Sequence, residues 1–270
     1  MKLLKGLKII PLDHQVKNEP SLNLSIPGSL MLTASKGKGK SSTLINMLIN
    51  KDMLAGKFNQ IHIVSPTNKL DVKFNILKTT HGIIVPNFKL IKELSKKKKI
   101  NIFDSNEGPP EYNTVLTDDS FTEDVSIELI KKIIQEQKYV IEKYSKDTAD
   151  NILIVYDDCA SERHFWNSQA VQKLMFNSRH YKVSIIITTQ NYKSIPKPLR
   201  LNMSMMVIYY TANLAELSSI YDENNSNLTF KEFHLMFKKV CSVPYNFLTI
   251  NYSNTEEYRF QECFEKFIKN

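Results

Sequence analysis

The chain has 270 residues, of which 42% are hydrophobic and 24% charged, and carries a formal net charge of +8. This is the make-up of a globular protein long enough to bury a sizeable core in one large α/β domain. It contains no apolar run of the about eighteen residues that a membrane helix needs. The stretch MKLLKGLKIIPLDH has lysines throughout and no small-residue cleavage site, so a signal peptide is not expected. Cys159, Cys241 and Cys263 lack metal-ligand spacing and are expected as reduced thiols in an intracellular setting, with packing as the role of Cys159. The basic balance suits a protein that handles nucleic acid, because counterion release rewards it. A Lys-, Asn- and Ile-rich composition also follows from AT-rich codons, which dilutes that signal.

In chain order, residues 1–28 read as an N-terminal extension broken by Pro11, Pro20 and Pro27. Residues 29–34 form a short apolar strand. Leu44, Ile45, Leu48 and Ile49 then recur at helical spacing, so a helix is expected from about Lys40. Between them, Ala34-Ser35-Lys36-Gly37-Lys38-Gly39-Lys40-Ser41-Ser42 has the spacing of a phosphate-binding loop, with Ala34 at its first glycine position. Triphosphate oxygens need many donors, and a loop wrapped around them supplies backbone N–H groups without side-chain entropy. Gly37 and Gly39 permit the close approach. Lys40 is expected at the β- and γ-phosphates and the Ser41 hydroxyl on Mg²⁺. Alanine at 34 requires only that φ be negative there. Lys36 and Lys38 either touch phosphate or are solvated.

A second strand is expected at 60–65. Asn68-Lys69-Leu70-Asp71 matches a guanine-reading pattern, but it precedes the acidic motif below by over eighty residues and reads as a capped loop. Residues 67–120 are the least legible, with a weak strand near 82–85, a loop at 108–110 and a basic run at 96–99 beside Lys92. That run is either a solvated helix end or a DNA contact. An amphipathic helix is expected at 123–144. Residues 152–156 are continuously apolar, as in a strand buried on both faces, and end in Asp157-Asp158. Carboxylates at the carboxyl end of a central strand sit where open α/β sheets bind ligands. Asp157 is the expected Mg²⁺ partner, direct or through water; Asp158 is the candidate to orient or deprotonate the attacking water. Phe165-Trp166 reads as a packing cluster, and His164 and His180 as structural.

A helix at 167–177 and a strand at 182–189 follow, ending in Gln190, a candidate γ-phosphate sensor. A sheet placing this strand between the loop strand and the acidic strand would put Gln190 between the two motifs. That is the arrangement of the additional-strand, RecA-like class of P-loop ATPases, with a mostly parallel sheet flanked by helices. A strand at 204–210, helices at 214–220 and 230–237, a strand at 246–251 and a helix at 260–268 complete the reading. The expected division is 1–28 extension, 29–210 ATPase core, and 211–270 packed on the core.

The loop, the strand ILIVYDD and the block FNSRHYKVSIIITTQNYKSIPKPLR resemble the poxvirus-type genome-packaging ATPases of the FtsK–HerA superfamily, over about residues 29–210. The resemblance implies an ATP- and Mg²⁺-dependent motor forming a homo-oligomeric ring. It would push double-stranded DNA into a capsid, with capsid proteins as partners, in the host cytoplasm or virion. It assigns Lys40, Ser41, Asp157, Asp158 and Gln190 as above, and makes Arg179 the arginine that reaches a neighbour's nucleotide. Only four arginines exist, and Arg163 and Arg200 are the reserves for that role. The competing readings are a single-strand helicase or recombinase, an ATP-switched scaffold, and a small-molecule kinase.

Overall fold

A computed structural model describes residues 24–50, 52–66, 74, 77, 120–224 and 227–268. The expectations for 68–71, 82–85, 96–99 with Lys92, 108–110 and most of the N-terminal extension lie outside the described residues. The strands are β1 (Ser29–Thr33), β2 (Gln60–Val64), β3 (Phe121–Thr122), β4 (Ile152–Asp157), β5 (Val183–Thr189), β6 (Met205–Tyr209), β7 (Phe247–Asn251), β8 (Phe260–Glu262) and β9 (Lys266–Phe267). They form one nine-stranded sheet in the order β3-β2-β4-β5-β1-β6-β7-β8-β9. Strands β3 to β6 of that order pair in parallel, and β7, β8 and β9 continue the sheet antiparallel. The fold is thus mixed α/β around a mostly parallel sheet, with β5 between β1 and β4, the arrangement expected of the additional-strand class.

The central strands are mostly apolar because helices and loops cover both faces. Side chains alternate between two cores: Met31, Ile152, Ile154, Tyr156, Ile185 and Ile187 enter one, and Leu30, Leu32, Leu153, Val155 and Ile186 the other. Helix α1 (Lys40–Ile49) covers the second face with Leu44, Ile45, Met47, Leu48 and Ile49. Helices α2 (Ile127–Lys143), α4 (Gln169–Asn177), α6 (Leu214–Glu223) and α7 (Phe230–Val240) cover the first. The short helices α3 (Arg163–Trp166) and α5 (Lys197–Arg200) lie in connections.

Local chemistry sets the helix ends. Ser126 caps α2 by accepting from the Glu128 and Leu129 amides, so the helix starts inside the expected 123–144 span. Ser168 caps α4 in the same way, and Thr229 and Glu232 form a capping box on α7. The buried Gln137 amide donates to the Asp150 and Tyr181 carbonyls, both at 2.7 Å, and so ties α2 to the entries of β4 and β5. Trp166 packs edge-on to Tyr156 and Phe165 and donates Nε1–H to the Cys159 carbonyl at 2.9 Å, the packing cluster expected there. Among the described residues no helix is long and apolar enough to cross a membrane.

The expected helix at 260–268 is wrong. Phe260, Phe264, Phe267 and Ile268 have helical spacing, but β7 offers an open edge. Leu248 pairs with Glu262 and Ile250 with Phe260, and a turn through Cys263, at φ 53°, leads into β9. Phe260 then packs on Phe233 of α7. Sheet hydrogen bonds and a long-range aromatic contact outweigh an apolar period of only nine residues.

Arg200 is also displaced from its candidate role. Its side chain is 6% exposed, and its Nε and Nη2 donate to Glu223 Oε2 and Oε1 at 2.8 and 2.5 Å. Its Nη1 donates to the Ile195 carbonyl, and the guanidinium lies 4.6 Å from the Tyr192 ring centroid. A guanidinium held this way joins α5 to α6 and is withheld from any nucleotide. Burial alone would raise the Glu223 carboxyl, but the Arg200 hydrogen bonds outweigh it and hold the group below its usual range. A depressed folded pKa contributes stability above the unfolded value and loses it as pH falls through the folded one. Glu223→Ala therefore costs about 3–5 kcal/mol at neutral pH by leaving a buried cation unpaired. In denaturant titrations the gap to wild type narrows as the pH drops below about 4. An equal gap at neutral and acid pH would contradict this.

Candidate nucleotide site

The phosphate loop follows β1 directly, and Ala34 is anchored by donating its amide to the Thr189 carbonyl at 3.1 Å. Ala34 is buried and is not among the residues with positive φ, so a methyl group is compatible with the loop. Gly37 and Gly39 take φ of 80° and 99°, a region where a Cβ is unfavourable. Gly39 stands at the N-cap of α1 without a side-chain cap. The first amides of α1 are thereby left to a ligand at the positive end of the helix dipole. Ser35, Lys36, Gly37 and Lys38 are exposed, whereas Ser41 and Ser42 are half-buried. Lys38 is not free in solvent: its ammonium lies 5.6 Å from the centroid of the Tyr210 ring. The Thr43 and Tyr209 hydroxyls share a short hydrogen bond that fixes the first turn of α1 to β6.

The two acidic residues differ in backbone and therefore in direction. Asp157 ends β4 in regular strand geometry and is buried; its Oδ1 accepts the Thr188 hydroxyl at 2.5 Å. Asp158 leaves the strand at φ 57°, a left-handed conformation that Asp tolerates better than most residues. That turn aims its carboxylate back across the sheet. Lys40 Nζ donates to Asp158 Oδ1 at 2.8 Å, and Gln190 Nε2 donates to Asp158 Oδ2 at 2.6 Å. Residues 118 and 32 positions away in sequence thus converge on one carboxylate. The loop lysine, the candidate base and the candidate sensor form one hydrogen-bonded set, and β5 carries Gln190 between the two motifs.

Thr188 is a site residue that the sequence reading missed. Its hydroxyl donates to Asp157 and also accepts the Asp158 amide at 3.1 Å, so one side chain orients both acids. The register pairs Asp157 directly with Thr188. The signal available was a hydroxyl opposite an acid in two strands expected to be neighbours. Cys159 packs beneath, with its thiol buried and pushed up by that burial. Cys241 is likewise buried and pushed up to about 12.

Asp157 and the Ser41 hydroxyl are hard oxygen donors of the kind Mg²⁺ takes alongside phosphate oxygens and water. Among the described residues, no three His, Cys, Asp or Glu gather as an all-protein metal cage. Two oxygen donors, Ser41 and Asp157, suit an ion that takes its remaining ligands from phosphate and water.

The arginines separate clearly. Arg179 is exposed in the turn between α4 and β5, at the amino end of the parallel strands. Its own loop is at the carboxyl end, roughly 20 Å along the strand. Arg163 is exposed at the start of α3, on the carboxyl side, and with Trp166, Asn167, Asn191 and Lys193 it lines an open cleft of about 350 Å³. His164 and His180 are exposed.

Residues 78–228, more than half of the chain, match the family described as Poxvirus A32 protein. The match contains Asp157, Asp158, Arg179 and Gln190 and starts after the phosphate loop. Among curated proteins, uncharacterized protein 075L of Invertebrate iridescent virus 6 is 34% identical over 94 residues, 35% of this chain and 36% of that protein. Uncharacterized protein L437 of Acanthamoeba polyphaga mimivirus is 24% identical over 121 residues, 42% of each. The chain thus spans about two fifths or less of the length of these relatives. The genome packaging NTPase B204 of Sulfolobus turreted icosahedral virus 2, solved with ATP-gammaS, superposes with a TM-score of 0.54 at 14% identity, over 91% of this chain and 100% of that one. B204 of Sulfolobus turreted icosahedral virus, described as a DNA-packaging ATPase, gives 0.54 at 13% identity, over the same shares. At these identities the likeness is one of fold.

Thr188→Val keeps the side-chain shape but removes the hydroxyl shared by Asp157 and Asp158. The expected cost is about 1–3 kcal/mol in denaturant unfolding, with Thr188→Ser restoring wild-type stability. A Val variant as stable as wild type would show that the hydroxyl does not hold the acidic pair.

Proposed function

The chain belongs to the poxvirus A32 protein family, and we propose that it is a Mg²⁺-dependent ATPase that drives double-stranded DNA into a viral capsid as a homo-oligomeric ring. The observation that carries this reading is the convergence of Lys40 and Gln190 on Asp158 beside an uncapped helix start. Nothing in a merely structural ion pair calls for a glycine-rich loop, a strained acid and a sheet-end amide at one point.

The nucleotide's phosphates sit in the 34–42 loop against the amides of α1. Lys40 leaves Asp158 for the β- and γ-phosphates, where its charge is complementary. Asp158, released by its cation, takes a proton from a water held by its carboxylate and Gln190. That water attacks the γ-phosphorus, the bond to the β-phosphate oxygen breaks, and ADP leaves with its new charge met by Lys40 and the loop amides. Ser41 and Asp157 would hold Mg²⁺, which would supply neutralisation of the phosphate charge. Gln190 reports loss of the γ-phosphate to β5 and its following turn.

Arg179 cannot reach its own chain's loop, so its role in this reading is in trans, completing the site of a neighbour in the ring. An arginine of this kind contributes about three to five decades in rate. Arg163 is the alternative from the carboxyl side. Capsid proteins are the partners this reading requires, and the virion or the host's site of viral assembly is the location.

Two measurements test this. Wild-type ATP hydrolysis is expected to rise with duplex DNA; no stimulation by any DNA would remove the motor reading. Lys40→Ala is expected to lower kcat about 10²–10³-fold. Mixing Lys40→Ala with Arg179→Ala subunits should recover activity, because some interfaces then carry both intact residues. If Arg179→Ala alone is fully active, or if the mixture stays as inactive as either variant alone, the trans role fails.

A further inference from the structure

We infer that Tyr245 is the platform on which the nucleotide's base stacks. This rests on the loop being a nucleoside triphosphate site, as proposed above. The direction of the nucleotide follows from the sheet. β1 has two neighbours, β5 on the side of the acidic pair and β6 on the other. Asp158 and Gln190 mark the γ-phosphate end on the β5 side, so the ribose and base leave toward β6 and β7. β7 runs antiparallel to β6, which brings the segment just before β7 to the carboxyl end of the parallel strands, level with the loop.

Tyr245 lies in that segment. Its ring covers Gly39: a Cβ on Gly39 would come within 3.2 Å of Tyr245 Cδ1. The aromatic ring is therefore in van der Waals reach of the loop's left-handed glycine, yet Tyr245 is 63% exposed. Its hydroxyl makes no hydrogen bond among the described residues. Tyr245 also holds φ at 70°, a conformation unfavourable for a residue with a Cβ and retained where the surroundings or a task demand it. Packing does not explain the ring: it is neither in a core cluster nor paired with another aromatic. Tyr210, the other exposed tyrosine nearby, is already used, stacked on Phe237 on one side and approached by Lys38.

The chemistry of such a platform is affinity without a hydrogen-bond code. Every base presents a π-face, and larger rings cover more of the tyrosine. Tyr245 therefore favours purine over pyrimidine triphosphates and discriminates little between adenine and guanine.

The test titrates the full chain with ATP and, separately, with inorganic tripolyphosphate, both with Mg²⁺, by calorimetry. Tyr245→Ala should weaken ATP about tenfold and leave tripolyphosphate unchanged, while Tyr245→Phe keeps wild-type affinity for both. Tripolyphosphate binding reports that the loop remains folded. Equal weakening of both ligands by Tyr245→Ala would overturn the inference, since Tyr245 would then only brace Gly39. Unchanged ATP affinity would overturn it too. Wild-type protein that binds neither ligand would instead remove the triphosphate site itself.

Discussion

The ion pair between Lys40 and Asp158 is the constraint on which the rest of this molecule depends. A lysine that is 8% exposed at the start of a helix needs a counter-charge, and the sheet supplies one from a strand two places away. For the pair to meet, β5 must lie between β1 and β4, and Asp158 must leave its strand in a left-handed turn. The same carboxylate accepts Gln190 from the end of the intervening strand. The pair is also exchangeable. A polyphosphate offers Lys40 more negative charge than one carboxylate does, so in the proposed reaction ligand binding and release of Asp158 are a single event.

Division of labour between the two acids follows from burial. Asp157 stays in the strand, buried and held by Thr188, which suits a fixed ligand position. Asp158 is part-exposed and faces groups that can move, which suits a base. On the opposite flank, β6 and the segment before β7 surround the start of α1 with Tyr209, Tyr210 and Tyr245. The carboxyl edge of the sheet thus has an acidic side and an aromatic side, with the glycine loop between them.

Much of this was legible in the sequence, and the reason differs by element. β1, β4 and β5 are short, mostly apolar runs ending in polar residues, a pattern that fits a strand covered on both faces. Gln190 at the end of β5 falls between the loop and the acids only once the sheet sets β5 between β1 and β4. Thr188 was invisible because a threonine at a strand end is ordinary until the register sets it opposite Asp157. Arg200 stood as a reserve for the trans-acting arginine because its partner Glu223 lies on a later helix, and pairing at that separation leaves no local signal. Residues 260–268 misled because four apolar side chains fit a helix, while the open edge of β7 decided their structure. Tyr245 carried no pattern at all; its place against Gly39 is purely tertiary.

The most direct test of the exchange at Asp158 is to separate binding from chemistry with Asp158→Asn. Asparagine still accepts a hydrogen bond from Lys40 but carries no charge and cannot take a proton from water. ATP affinity is expected to hold or tighten, because Lys40 no longer leaves an anion to reach phosphate, while single-turnover hydrolysis falls by about 10²–10⁴-fold. Hydrolysis at the wild-type rate, or loss of ATP binding in step with hydrolysis, would contradict the account.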